Sequence, residues 1–162
     1  SNVIATLLPG TTLFLGKNEY VNGRKLIESG IEVALATDFN PGSCTINSIP
    51  VIMSLAVLYC GLSIEEAFKA VTWNSAKALN REKTNGLISN GYQADFIFWD
   101  IDSIDEIPYW FGTDRIKKIF KSGLEIYSGN KIWLISITIS NTFTTVSSFI
   151  SPQLQLLLFI IQ

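Results

Sequence analysis

The sequence predicts an α/β chain: a strand-helix-strand unit, then a group of helices, then a segment of short strands. Three observations carry this. Two apolar runs, residues 3–8 and 31–37, flank a short helical stretch, which is the pattern of adjacent parallel strands. Residues 50–79 repeat apolar positions at helical spacing. From Gly86 onward the period shortens to that of strands. The chain has 162 residues, 48% hydrophobic and 16% charged, enough apolar material for one domain with a core.

Residues 3–8 form an apolar run ended by Pro9-Gly10, a buried strand followed by a loop. Residues 10–17 resemble a phosphate-binding loop only superficially. Five residues separate the glycines and Asn18 follows Lys17, where four residues and a Ser or Thr are required. Residues 22–29 read as a short helix with Leu26 and Ile27 inward and Gly30 just past its end. Residues 31–37 are the second strand. Pro50 suits the first turn of the next helix, where its missing N–H costs nothing. Residues 51–59 are apolar nearly all round, so this helix is expected to be largely buried, and Gly61 stops it. Ser63-Ile64-Glu65-Glu66 is a capping box, followed by one apolar face of Ile64, Ala67, Phe68 and Val71. A last short helix spans 74–79. Residues 86–95 are turn-rich; strands follow at 96–99, 116–121 and 124–127, with Ser122-Gly123 as a tight hairpin turn. The change of period places a boundary near residue 84. The expected units are 1–84, 85–130 and an atypical uncharged tail at 131–162.

Residues 132–162 carry no charged residue. The longest purely apolar run in the tail, residues 156–161, is six long, far short of the roughly 20 residues of a spanning helix. This tail reads as a terminus unrelated to the fold and prone to aggregation, rather than as a membrane anchor. The net charge of −2 argues against a nucleic-acid groove or a polybasic membrane patch. Two cysteines, Cys44 and Cys60, form neither a metal-ligand spacing nor a disulfide framework, so a reducing, cytoplasmic setting is expected. No basic and apolar leader is visible at Ser1-Asn2-Val3. The chain opens at Ser1 and its single methionine is Met53, so an incomplete or processed sequence is expected. It has no histidine, so these residues alone cannot build a Ser-His-Asp, Cys-His or His-based zinc site.

The stretch with most chemical content is Ala34-Leu35-Ala36-Thr37-Asp38-Phe39-Asn40-Pro41-Gly42-Ser43-Cys44. A strand ends at one carboxylate, and a loop rich in hydrogen-bonding groups leads to a helix. In α/β barrels the C-terminal ends of strands carry the chemistry. Asp38 there can bind a metal, act as a base or simply close a turn.

Three signatures, in this order, resemble the imidazolonepropionase family, metal-dependent hydrolases of histidine degradation in the amidohydrolase superfamily. They are Ala5-Thr6-Leu7-Leu8-Pro9-Gly10, the run around Asp38, and a third set. The third comprises Gly86-Leu87-Ile88, Gly91, Ala94-Asp95, Trp99-Asp100 and Ile107-Pro108-Tyr109-Trp110-Phe111-Gly112. The resemblance spans residues 3–129 and covers the C-terminal third of a family member. It implies the C-terminal part of a metal-dependent (β/α)8 barrel, with residues 3–8 and 31–37 as its seventh and eighth strands. Residues 86–127 are then part of a small β-sandwich.

The resemblance further implies one zinc or iron ion held by a His-x-His pair, a later His, and an Asp matching Asp38, the histidines lying upstream of Ser1. Asn40, Gly42 and Ser43 match its substrate-contacting loop. The implied substrate is a small molecule, 4-imidazolone-5-propanoate, opened by water to N-formimidoyl-L-glutamate, in a homodimeric enzyme. Asp38 would then serve both as metal ligand and as the group that moves the proton of water to the departing ring nitrogen. With one retained ligand, residues 1–162 alone are expected to be inactive and, with most barrel strands missing, poorly soluble. Two other readings compete: another amidohydrolase such as a nucleobase deaminase, and a non-catalytic remnant or interaction module. Asp95 and Asp100 read as strand-end and turn residues, Trp73, Trp99 and Trp110 as packing residues, and Cys44 as a bystander beside the loop.

Overall fold

The computed structural model describes residues 3–129. The uncharged run at 132–162, with its membrane and terminus readings, lies outside the described residues. Within them, the order is β1 (Ile4–Leu7), α1 (Pro9–Phe14), α2 (Gly23–Glu28), β2 (Glu32–Leu35), α3 (Ile49–Cys60), α4 (Ile64–Val71), α5 (Trp73–Ala78), β3 (Phe96–Trp99), α6 (Glu106–Tyr109), β4 (Ile116–Lys121) and β5 (Leu124–Ser128).

β1 and β2 pair in parallel, from Ile4 opposite Glu32 to Leu7 opposite Leu35. The connection holds two short helices. α2 starts where the Asn22 side chain accepts the Lys25 N–H at 2.9 Å. The first helix departs from expectation: Pro9-Gly10 opens α1 instead of a loop. Proline at the first helical position loses no hydrogen bond there, so the residue read as a stop is a start.

α3 buries Ile52, Met53 and Ala56 against this sheet and ends at Gly61, which has a left-handed backbone (φ 74°). The helix is largely buried, as expected from its composition: residues 52–56 and Cys60 are all buried. Exposure is confined to the last turn, where Leu58 is 68% exposed and Tyr59 55% exposed. Both halves of the capping box form: Ser63 Oγ accepts the Glu66 N–H, and the Glu66 carboxylate accepts the Ser63 N–H. Arg24 of α2 reaches across to the same carboxylate and ties α2 to α4.

α5 packs against β2. Asn74 Nδ2 donates to the Val33 carbonyl at 2.7 Å and Ser75 Oγ to the Leu35 carbonyl at 3.2 Å. These two bonds tie α5 to β2 and satisfy buried carbonyls of the strand. The Asn74 Oδ1 atom is buried without a partner among the described residues.

β3, β4 and β5 form a separate antiparallel sheet in that order. Ser122 and Gly123 both have positive φ, 51° and 79°, as a two-residue hairpin turn requires. Phe96 and Phe120 stack across the sheet at 4.8 Å. α6, which was read from sequence only as part of a signature, fits between β3 and β4. It buries Ile107 in the main core, and the Ser54 hydroxyl of α3 donates to the Pro108 carbonyl.

Candidate active site

β2 ends at Leu35 and the chain stays straight for two more residues: Ala36 N–H donates to the Leu7 carbonyl at 3.2 Å, and Thr37 is buried. At Asp38 the backbone turns left-handed, φ 52°, a conformation that Asp tolerates better than most residues. The turn brings the half-buried carboxylate back toward the start of α1. There Thr11 Oγ1 donates to Asp38 Oδ2 at 2.8 Å, across 27 positions of sequence. Ser43 Oγ donates to the same oxygen at 3.2 Å.

Asn40 organises the loop between them. Its Nδ2 donates to the Asp38 carbonyl at 2.7 Å and to Ser43 Oγ at 2.8 Å. Its Oδ1 accepts the N–H groups of Gly42 and Ser43, both at 2.9 Å. Its own backbone pairs with Cys44 in both directions. Two donors and two lone pairs are the whole capacity of an amide side chain, and all four are used. The loop is therefore built before any ligand arrives, with Pro41 and Gly42 exposed at its tip.

Beneath the loop, Cys44 is fully buried. A Cβ on Gly10 would stand 2.7 Å from Ile52 Cδ1 and 3.2 Å from Cys44 Sγ, so the first turn of α1 presses close to both and a side chain there would make them shift. Cys44 is packed, consistent with its reading as a bystander. The other thiol, Cys60, is pushed up in pKa by burial, the opposite of an activated nucleophile.

Asp38, Asn40 and Ser43, singled out from sequence, thus share one hydrogen-bonded network, and Gly42 joins it through its backbone. Thr11 was missed. The signature quoted from sequence stops at Gly10, and a hydroxyl following Pro-Gly gives no local sign of a partner so far along the chain. Asp95 and Asp100 have other partners: Asp95 pairs with Lys121 and Asp100 with Lys117. The Arg115 guanidinium lies over the Trp110 ring at 5.1 Å. A cavity of about 220 Å³ lies between β1 and Tyr20; its lining includes Thr11 but not Asp38 or the loop.

As a metal centre the donor set is partial. Among the described residues no three His, Cys, Asp or Glu side chains converge. Asp38 offers one hard oxygen ligand, whereas a catalytic ion takes about three protein ligands. The carboxylate fits one place in such a site and the described residues do not complete it.

An amidohydrolase family model matches residues 16–126. The imidazolonepropionase of Bacillus cytotoxicus is 46% identical over 134 residues, which cover 82% of this chain and 32% of the relative. That of Bacillus thuringiensis is 45% identical with the same coverage. The chain thus spans about a third of the length of the curated relatives it matches. Among solved structures, E. coli guanine deaminase aligns with a TM-score of 0.62 at 24% identity, covering 77% of this chain and 33% of that one. A zinc-bound adenosine deaminase from Xanthomonas campestris aligns with a TM-score of 0.64 at 17% identity, covering 76% and 31%. These two likenesses bear on the fold alone.

Proposed function

This chain belongs to the amidohydrolase family, and from that premise we propose that it forms the C-terminal third of an imidazolonepropionase. Such an enzyme opens 4-imidazolone-5-propanoate to N-formimidoyl-L-glutamate. In this reading β1 and β2 are the seventh and eighth strands of a (β/α)8 barrel. The first unit ends near residue 84, and β3 to β5 contribute to a small β-sandwich. The observation that carries the reading is a carboxylate held at the C-terminal end of a strand by a prebuilt Asn-Pro-Gly-Ser loop, within a segment 46% identical to an enzyme of that name.

Asp38 would supply one ligand to a zinc or iron ion, and the remaining ligands would come from the other two thirds of the protein. A bound divalent ion lowers the pKa of water toward neutrality. Asp38 takes the proton of the attacking water and passes it to the ring nitrogen as the C–N bond breaks. Atoms balance: the water oxygen joins the ring carbon and both protons remain on the product. Asn40 keeps the loop in shape, since its side chain has no hydrogen-bonding capacity left. Ser43 and the exposed backbone at Gly42 face the substrate.

The test is hydrolysis by the full-length protein loaded with zinc or iron, followed as loss of imidazolone absorbance and by detection of N-formimidoyl-L-glutamate. Guanine and adenosine run beside it. Turnover of the imidazolone alone is expected. Turnover of a nucleobase or nucleoside instead would replace this reading with a deaminase. Residues 1–162 by themselves are expected to match a buffer blank, because one carboxylate does not hold a catalytic ion.

A further inference from the structure

We propose that Thr11 is a positioning residue for Asp38: its hydroxyl holds Oδ2 and fixes the rotation of the carboxylate, so that the carboxylate would be presented to an ion in one orientation. The inference rests on the reading of Asp38 as a metal ligand and names a residue that the reading did not contain.

Four observations support it. The Thr11 Oγ1 to Asp38 Oδ2 bond is 2.8 Å, shorter than the 3.2 Å bond from Ser43 to the same oxygen, and Oδ1 takes part in neither. The Ser43 hydroxyl is shared, because it also accepts from Asn40 Nδ2. It belongs to the proposed substrate loop as well, so Thr11 is the donor without a second duty in that loop. Thr11 is held from behind: its own N–H donates to the Leu8 carbonyl at 3.1 Å, and Gly10 seats this turn against Ile52 and Cys44. Finally, the donor is a neutral hydroxyl, and no ion pair to Asp38 forms among the described residues. A carboxylate oriented this way keeps its negative charge for a cation, which a lysine partner would cancel. Groups that orient a ligand in this manner commonly matter nearly as much as the ligand itself.

The experiment uses the full-length holoenzyme with Thr11→Val, which keeps the volume and removes the hydroxyl, and Thr11→Ser, which keeps the hydroxyl. Zinc affinity is measured by competition with a chromophoric chelator, and kcat and KM are measured separately. Thr11→Val is expected to weaken zinc binding by about 10–100-fold and to lower kcat with little change in KM, while Thr11→Ser stays within about threefold of wild type. Thr11→Ala provides a second hydroxyl-free variant should the valine not fold. Thr11→Val binding zinc as tightly as wild type would overturn the inference, as would Thr11→Ser losing as much as Thr11→Val. Asp38→Asn run in parallel separates the two claims. If Asp38→Asn leaves zinc affinity unchanged, the metal reading of Asp38 has failed and the inference falls with it. If Asp38→Asn loses zinc and Thr11→Val does not, the inference alone has failed.

Discussion

Two aspartates stand at strand ends in this chain and are treated in opposite ways. Asp95, just before β3, is almost enclosed. Its Oδ2 accepts from Lys121 Nζ at 2.8 Å and from Asn85 Nδ2 at 3.4 Å, and its Oδ1 accepts the Ser122 N–H at 2.7 Å. Its charge is matched by a cation and both its oxygens are used. It fastens the hairpin turn to the start of the sheet. Asp38, just after β2, is held at one oxygen by two neutral hydroxyls, and no cation pairs with it among the described residues. A protein gains little stability from such an arrangement. What it retains is a fixed, uncompensated negative charge at the end of a strand, the form in which a carboxylate can serve a metal ion and a proton transfer.

That contrast breaks most sharply at Asp38 itself. In the full-length enzyme, Asp38→Ala should lower turnover by more than the roughly 10–100-fold typical of an outer-shell partner, because it removes a ligand and not a support. Its cost in denaturant unfolding should stay near 1 kcal/mol, the scale of ordinary hydrogen bonds. Asp95→Ala should do the reverse. Removing it takes the carboxylate from Lys121 and leaves the exposed Ser122 N–H to water, so unfolding free energy should drop by roughly 1–3 kcal/mol while turnover per folded enzyme is unchanged. Equal losses of activity from the two variants would erase the distinction.

Asn40→Ala sits between these extremes. It deletes four hydrogen bonds from one loop, and kcat should fall because Ser43 loses both its orientation and its place beside Asp38. Local protection from hydrogen exchange at Gly42 and Ser43 should fall with it, with a global cost of about 1–2 kcal/mol. The smallest effect concerns Glu66. The Arg24 guanidinium bonded to it, together with the backbone N–H of Ser63, holds its pKa below the usual carboxylate range. A pKa lower in the folded state means that this stability is present above the unfolded value of about 4.3 and is lost as pH falls through the lowered one. The pair is partly exposed, so the contribution should be under about 1 kcal/mol. Arg24→Ala should remove this small contribution near neutrality, leave stability unchanged at pH below the lowered pKa, and so flatten that part of the acid limb.

Much of this was legible in the sequence because it is local. The capping box, the hairpin turn at Ser122-Gly123 and the left-handed end at Gly61 depend on neighbours a few residues apart. The parallel pair could be read because two apolar runs flank a helical one. Asp38 and its loop stood out because the residues that hold them, Asn40, Gly42 and Ser43, follow within five positions. What escaped is long-range. Thr11 meets Asp38 across 27 positions, and the β2 carbonyls of Val33 and Leu35 accept from Asn74 and Ser75 of a helix some 40 residues on. Pro9 was misread because proline opens a helix as readily as it closes a strand.

The most direct test of the central claim uses this chain's own residues in a complete enzyme. Residues 3–129 replace the matching segment of the Bacillus cytotoxicus imidazolonepropionase, and imidazolone opening is followed with Asp38 intact and as Asp38→Asn. Metal-dependent turnover is expected in the first chimera, and loss of both turnover and tight zinc binding in the second. A folded, zinc-loaded chimera without turnover, or turnover that survives Asp38→Asn, would contradict it.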